Sequence, residues 1–149
     1  MKGKTILITG ASKGIGRAIA LELAEPNTTL LLTWNSDKDG AEETQKLALQ
    51  KGAEAQIYNL SLEKGDEIQD FCEKINLFSS PDILINNAAF AQKKDFMSIN
   101  DDDMEKMLSV NLKAPFRLSQ YFIPNMKVKG WGRIINISSI GGQWGGIHQ

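Results

Sequence analysis

Short apolar runs alternate with longer segments of helical periodicity along this chain, and no other feature of the sequence constrains the fold as much. The strand-like runs are TILIT (5–9), TLLLTW (29–34), AQIYNL (55–60), DILINN (82–87) and GRIINIS (132–138). Between them the apolar residues recur at helical spacing, with predicted helices over 15–25, 39–52, 62–76 and 100–126. Strands that are apolar throughout are typical of a parallel sheet with helices on both faces.

We therefore predict one α/β domain over residues 1–149, a doubly wound parallel sheet of the Rossmann type in three α/β/α layers. Right-handed crossover connections favour the strand order 3-2-1-4-5. The fifth strand lies at an edge in this order, although IINI has the apolar character of an interior strand. An exposed apolar edge favours self-association, and it indicates that further C-terminal strands are missing.

The composition excludes several classes of partner. The 149 residues carry 17 Lys and Arg against 18 Asp and Glu, so no basic face is indicated for nucleic acid or for an anionic membrane. The N-terminal apolar run is too short for a signal peptide, which makes a cytoplasmic location the default expectation. Cys72 is the single cysteine, and its helical spacing with Ile68 and Ile75 favours a packed core thiol over a reactive one. We predict no metal site.

A glycine-rich loop, TGASKGIG (9–16), joins the first strand to the first helix. Gly10 permits a sharp exit from the strand, Gly14 permits close approach of a ligand to the backbone, and Gly16 lets the helix pack on the sheet. The N–H groups that open the helix can bind a phosphate, although a βα turn without a ligand is the alternative. The predicted contacts are Gly10, Ser12, Lys13, Gly14, Ile15 and Gly16.

The spacing T-G-x-x-x-G-x-G resembles the cofactor loop of the classical short-chain dehydrogenase/reductase family. Three later segments agree with it in order: NNAA (86–89) resembles that family's N-N-A-G, SVNLKAPF (109–116) its helix asparagine, and GRIINISSIGG (132–142) its serine-bearing strand. The sequence is most similar to the branch that acts on 3-oxoacyl-[acyl-carrier-protein] substrates. The resemblance implies hydride transfer between NADPH and a carbonyl or alcohol, with a 3-oxoacyl thioester-like substrate, by a parent homotetramer or homodimer.

The resemblance places the choice between NAD and NADP at the end of the second strand. An acidic residue there would bind the ribose 2′-hydroxyl and repel a 2′-phosphate. The chain has Trp34, Asn35 and Ser36 at this point, and Asp37 comes slightly late. Lys13 matches the basic loop residue that pairs with the 2′-phosphate, with a merely solvated charge as the alternative. We therefore expect NADP, with NAD less favoured.

Further cofactor contacts are implied after the third and fourth strands. Asn59 and Leu60 stand where the family commonly has an aspartate against adenine; Asn59 keeps a carbonyl acceptor, although a plain turn residue is the alternative. Asn87, Ala88 and Ala89 follow the fourth strand. Ala89 replaces the family's glycine, and it would cost about 1 kcal/mol if its backbone required a positive φ.

Pro115 lies inside the predicted helix 100–126, where proline has no N–H and crowds the carbonyl four residues earlier. That carbonyl belongs to Asn111, so we predict a kink centred there with the carbonyl oxygen freed from the helix. The matching asparagine of the family uses this oxygen to hold a water in a proton relay. A kink without function is the alternative.

The fifth strand ends at Ser138 and Ser139, and the resemblance assigns Ser139 as the catalytic serine that binds the substrate carbonyl oxygen. An ordinary serine at the end of a strand is the alternative. The family's Tyr-x-x-x-Lys, which supplies the proton, falls beyond Gln149. Tyr58 in a strand and Tyr121 late in a helix are not expected to replace it.

His148, the single histidine, is interpreted as a loop residue rather than as a replacement acid. We therefore interpret the chain as the N-terminal portion of a longer reductase and expect it to be inactive alone. The alternative is a non-catalytic dinucleotide-binding or interaction module. The loop spacing and NNAA argue against a sugar-nucleotide epimerase.

Overall fold

Five parallel strands form one sheet at the centre of the computed structural model, which describes residues 2–139. The strands are β1 (Thr5–Ile8), β2 (Thr29–Trp34), β3 (Glu54–Asn59), β4 (Ile83–Asn86) and β5 (Arg133–Asn136). Their order in the sheet is β3-β2-β1-β4-β5, and every neighbouring pair is parallel. The predicted fold class and strand order are confirmed.

The helices between the strands lie close to the predicted ranges, with one correction. They are α1 (Gly14–Leu23), α2 (Lys38–Gln50), α3 (Gly65–Phe78), α4 (Asp101–Leu108) and α5 (Ala114–Val128). The single helix predicted over 100–126 is therefore α4 and α5 joined by a π-helical turn, Ser109–Lys113. Asn100 begins α4 with a capping box, in which its side chain and that of Asp103 each accept the other's backbone N–H.

A separate hydrophobic core fills each face of the sheet, because successive strand residues point to opposite faces. In β1, Leu7 packs in the core beneath α3 and α5, together with Phe71 and Phe122. Its neighbours Ile6 and Ile8 pack in the other core, on the side of α1 and α2. All three β1 side chains are fully buried, which explains why the central strands are apolar at every position.

Cys72 lies in the core beneath α3, as its spacing predicted. Burial raises the pKa of its thiol to about 12, with a smaller contribution from the negative charge of Glu73. The thiol is therefore protonated near neutral pH, where only the thiolate is a good nucleophile. The structure supports a packing role for Cys72.

The strand β5 lies at one edge of the sheet and pairs with β4 alone among the strands of residues 2–139. Ile135 is 44% exposed and Ile137, just past the strand, is 37% exposed. The expectation of an exposed apolar edge is thus confirmed for the described part of the chain. Such an edge offers unpaired backbone groups beside apolar side chains.

The described range contains every predicted site residue, while His148 lies outside it. Within residues 2–139, none of the helices combines the length and the apolar character needed to cross a bilayer. Over the same range, no group of three or more His, Cys, Asp or Glu side chains is placed to hold a metal ion.

Candidate functional site

Two adjoining cavities open at the carboxyl ends of the strands, around the point where the sheet reverses its winding between β1 and β4. Open α/β sheets bind their ligands at this kind of switch point. The first cavity, of about 680 Å³, we call the loop cavity because the glycine loop lines it. The second, of about 740 Å³, we call the serine cavity because Ser139 lines it.

Most of the predicted site residues line one cavity or both. The loop cavity is lined by Gly10, Ser12, Lys13, Ile15, Asn35, Leu60, Asn87, Ala88 and Ala89. The serine cavity is lined by Asn111 and Ser139, and it shares with the loop cavity the residues Ile15, Asn87, Ala88 and Ala89. Gly14, Gly16 and Asn59 line neither. The shared wall means that one extended ligand can reach from the glycine loop to Ser139.

The three glycines of the loop meet different surroundings. A Cβ on Gly16 would lie 2.2 Å from the Gly10 carbonyl oxygen and 2.5 Å from Asn87 Nδ2, so only glycine fits there. Gly10 has φ +66°, and a Cβ on it would lie 2.9 Å from Ala88 Cα. Gly14 has φ +56° with nothing within 4 Å of a Cβ position, so its backbone is open to a ligand. Close contacts thus require glycine at positions 10 and 16, while ligand approach at Gly14 stays a prediction.

A partly buried network, not expected from the sequence, holds the loop against α2. Arg17 Nη2 donates to the Ser12 carbonyl at 2.6 Å and to the Gly40 carbonyl at 2.9 Å. Its Nε donates to Thr44 Oγ1 at 2.9 Å, and that hydroxyl lies 2.9 Å from the Ala11 carbonyl oxygen. The carbonyls of Ser12 and Ala11 are thus bonded to Arg17 and to Thr44 of α2, while N–H groups at the start of a helix are the kind of donor that binds phosphate.

Thr9 and Asn87 join the ends of β1 and β4. Thr9 Oγ1 accepts hydrogen bonds of 3.0 Å from the N–H groups of Asn87 and Ala88. In the other direction, Asn87 Nδ2 donates to the carbonyls of Thr9 at 2.9 Å and Gly10 at 3.1 Å. The Asn87 side chain therefore fixes the wall that the two cavities share.

The carboxylate that follows β2 at the loop cavity is used to cap a helix. Asp37 lines the cavity, but its Oδ1 accepts the Gly40 N–H at 3.0 Å and caps the N-terminus of α2. Asn35 and Ser36 are exposed beside it, and the exposed Lys13 lines the same cavity. No side chain caps the N-terminus of α1 at Lys13 in the described residues. These surroundings suit an anionic group better than a ribose hydroxyl pair.

Two positions that depart from the family pattern have plain structural explanations. Ala89 has a negative φ, since Asn27 is the one non-glycine residue with a positive φ in the described range. Ala89 therefore carries none of the conformational free-energy cost that a positive φ would impose on alanine. Asn59 is exposed outside the cavities, and its Nδ2 donates to the Asn35 carbonyl at 2.9 Å. Its amide thus joins the ends of β2 and β3.

The helix is interrupted at Asn111, where a kink with a freed carbonyl was predicted, and the interruption takes the form of the π-helical turn. The Ala114 N–H donates to the Ser109 carbonyl, five residues earlier, which widens the helix there. Pro115 lies in the first turn of α5 and has no N–H to donate to the Asn111 carbonyl. The Asn111 side chain also bonds the backbone of Phe90, a contact that the sequence did not indicate.

Neither tyrosine of the chain lies at the serine cavity. Tyr58 is in β3, where its hydroxyl donates to Gln56 Oε1, and Tyr121 is in α5. Burial raises the pKa of Tyr58, which is opposite to what a proton donor at neutral pH requires. The structure agrees with the expectation that these tyrosines do not act as the acid.

Several cavity residues were missed by sequence reasoning. The loop cavity is also lined by Trp34, Ser36, Leu62, Glu63, Phe90, Lys106 and Val110. Trp34 and Ser36 flank the predicted residue Asn35, so their place in the cavity could have been predicted from their position in the sequence. Glu63, Phe90 and Lys106 belong to no motif and are brought to the cavity by the fold alone.

The fold, with a glycine loop at its switch point, defines the Rossmann-type class of α/β proteins. The family model of the short chain dehydrogenases matches residues 4–149, and the chain belongs to this family. It is 36% identical to a 3-oxoacyl-[acyl-carrier-protein] reductase of Aquifex aeolicus over all of this chain and 60% of that protein. It is 35% identical to mouse estradiol 17-beta-dehydrogenase 11, over 94% of this chain and 47% of that protein.

Solved structures give the same assignment. A 3-oxoacyl (acyl-carrier-protein) reductase from Agrobacterium tumefaciens with NADP bound superposes with a TM-score of 0.90 at 28% identity, covering 99% of this chain and 57% of that one. A metagenomic short-chain oxidoreductase in complex with NADP gives 0.88 at 31% identity, covering 95% and 65%. The chain thus spans about 60% of the length of the Aquifex relative that it matches.

Proposed function

We propose that this chain binds NADP(H) across the two cavities and supplies the cofactor site and the serine of a carbonyl reductase. The observation that carries this proposal is the wall shared by the loop cavity and the serine cavity. A dinucleotide whose phosphates rest at the glycine loop extends along this wall toward Ser139. The NADP-bound short-chain oxidoreductases of similar structure support this choice of ligand.

The residues present fit such a cofactor. The open backbone at Gly14 and the uncapped N-terminus of α1 suit the pyrophosphate. Lys13 and Ser36 suit a 2′-phosphate, since the nearby Asp37 carboxylate is bonded to the N-terminus of α2. Leu60 offers an apolar contact for adenine from the wall of the loop cavity.

On this proposal the bound cofactor supplies the hydride. The Ser139 hydroxyl donates a hydrogen bond to the substrate carbonyl oxygen and orients it. The Asn111 carbonyl, which Pro115 deprives of its α-helical donor, accepts a hydrogen bond from a water of the proton relay. The substrate class is a ketone of the 3-oxoacyl thioester type, as in the reductases that the chain resembles.

Cofactor titration tests the proposal directly. We expect the 149-residue chain to quench or enhance NADPH fluorescence on binding, with weaker binding of NADH. The Lys13→Ala variant should lose about tenfold in affinity for NADPH and little for NADH, because only NADPH carries the 2′-phosphate. Equal losses for both cofactors would assign Lys13 a general role, and no binding of either would refute the proposal.

The gene sequence downstream of the Gln149 codon separates this proposal from its alternative, a non-catalytic dinucleotide-binding or interaction module. The 149 residues contain no Tyr-x-x-x-Lys, so neither alternative expects turnover by this chain alone. We expect no measurable NADPH oxidation by this chain with a 3-oxoacyl substrate. An in-frame Tyr-x-x-x-Lys in the gene downstream of the Gln149 codon would support the reductase, and its absence would support the module.

A further inference from the structure

One lysine joins three segments of the loop cavity wall that belong to no sequence motif. Lys106 on α4 places its Nζ 2.9 Å from Glu63 Oε1 and 4.7 Å from the centre of the Phe90 ring. Glu63 lies between β3 and α3, and Phe90 follows β4. All three residues line the loop cavity, and none of them lines the serine cavity.

A ligand in the loop cavity would strengthen the contacts of Lys106. The side chains of Lys106 and Glu63 are 40% and 36% exposed, so water and salt screen their attraction. A ligand that fills the cavity displaces water from them, and the same pair attracts more strongly in the lower dielectric. A cation over an aromatic ring is strengthened by desolvation in the same way.

The backbone position of Phe90 is set independently of the lysine. The Phe90 N–H and carbonyl are both bonded to the side chain of Asn111, each at 2.8 Å. The backbone at Phe90 is therefore fixed to the π-helical turn. Lys106 then spans from this fixed segment to Glu63 on the β3–α3 segment.

We infer that Glu63, Lys106 and Phe90 form a latch over the adenosine end of the bound cofactor, which slows its release. The inference rests on the proposed function. Glu63 lies on the same segment as Leu60 and Leu62, next to the expected adenine contact, and away from Ser139. The latch residues are positioning residues: they act on the residence of the cofactor and touch no reacting atom.

The test compares ligands that occupy different ends of the groove. Binding of NADPH, adenosine 2′,5′-bisphosphate and nicotinamide mononucleotide is measured for the 149-residue chain and for its Lys106→Met and Glu63→Gln variants. We expect the dissociation constants of NADPH and of the bisphosphate to rise about three- to tenfold, through faster release. Binding of the mononucleotide should not change in the variants.

Two further variants separate a latch from a loss of stability. Glu63→Lys combined with Lys106→Glu restores the opposite charges and should recover at least part of the lost affinity. Lys64→Met removes the neighbouring 2.7 Å pair with Glu67, which does not line the cavity, and should leave binding unchanged. Melting temperatures of all variants show whether folding is affected. Glu63→Gln changes the structure least, because it replaces one carboxylate oxygen with an amide nitrogen.

The outcomes distinguish the latch from the site itself. If the wild-type chain binds neither NADPH nor the bisphosphate, the proposed function and the latch are both overturned. If it binds them and the Lys106 and Glu63 variants bind equally well, the latch alone is overturned. A loss in the variants that charge reversal does not reduce would also overturn it, because the ion pair would then not be the cause.

Discussion

The side-chain amide of Asn111 bonds both backbone groups of Phe90. Its Oδ1 accepts the Phe90 N–H at 2.8 Å, and its Nδ2 donates to the Phe90 carbonyl oxygen at 2.8 Å. The π-helical turn that carries Asn111 is thereby joined to the segment after β4, which lines the loop cavity. The side chain of Asn111 thus fixes the wall of the loop cavity, and only its backbone carbonyl is assigned to the proposed relay.

Asn111→Ala should loosen this wall. We expect the free energy of unfolding to fall by about 1–2 kcal/mol, because two hydrogen bonds at an exposed position are lost. NADPH binding should weaken as well, since Phe90 is no longer held. Urea unfolding and fluorescence titration measure the two effects. Asn125→Ala is the control: Asn125 lies in α5, and its side chain donates one hydrogen bond to Asn76 Oδ1. This variant should affect stability alone. Unchanged NADPH binding in Asn111→Ala would contradict the role given to this pair.

Gly14 and Gly130 offer a matched comparison for the phosphate site. Both have a positive φ, +56° and +65°, and neither has an atom within 4 Å of a Cβ position. Substitution by alanine should cost each about 1–2 kcal/mol of stability through backbone strain. Only Gly14→Ala should weaken NADPH binding, because its Cβ would occupy the open backbone at the start of α1. Equal binding by the two variants, measured by titration, would place the phosphate elsewhere.

Asp82 should make the fold sensitive to acid. Burial acts to raise the pKa of Asp82, but hydrogen bonds from the Thr5 N–H and the Lys129 ammonium outweigh it, so its pKa lies below the ordinary value. A carboxyl whose pKa is lowered by folding stabilises the fold above its unfolded pKa, near 4, and this contribution is lost as the pH falls through the folded value.

The matching experiment is urea unfolding of Asp82→Asn between about pH 7 and pH 2. We expect the variant to be less stable than the wild type by about 1–3 kcal/mol at neutral pH, with a difference that shrinks in acid. Glu105→Gln is the control, since Glu105 also has a lowered pKa, caused by Lys113 and Ser109, but is exposed. A constant difference between wild type and Asp82→Asn across the pH range would show that proton uptake by Asp82 is not involved.

The sequence predicted the strands well because burial on both faces leaves a continuous apolar run, as in Leu30, Leu31 and Leu32 of β2. It predicted one helix where the structure has α4, a π-helical turn and α5. The buried residues Val110, Ala114 and Leu118 follow one another at helical spacing from the turn into α5, so apolar periodicity alone does not mark the turn. Pro115 was the local signal that marked the interruption.

The site was predictable only where a motif fixes the backbone. The spacing of Gly10, Gly14 and Gly16 determines which loop can form, whatever surrounds it. The contact between Arg17 and Thr44 joins residues 27 positions apart, and Lys106 on α4 reaches Glu63 in the segment between β3 and α3. Such pairs depend on how the elements pack. The sequence around a polar residue on a helix does not indicate which distant residue it will contact.

The exposed edge of β5 leads to the last prediction. We expect the 149-residue chain to self-associate as its concentration rises. The outer edge of β5 pairs with no strand of residues 2–139, and the exposed side chains of Ile135 and Ile137 lie beside it. Ile135→Lys should reduce the association, since a charge on an edge strand opposes pairing with a second strand. Light scattering and sedimentation velocity over a range of concentrations measure the effect.

Leu77→Lys is the matched control, because Leu77 is 81% exposed near the end of the helix α3 and belongs to no strand. If general surface hydrophobicity drives association, Leu77→Lys should reduce it as much as Ile135→Lys does. If strand pairing drives it, the β5 variant alone should give monomers. A wild-type chain that stays monomeric at high concentration would show instead that the twist and the short length of β5 suffice to protect its edge.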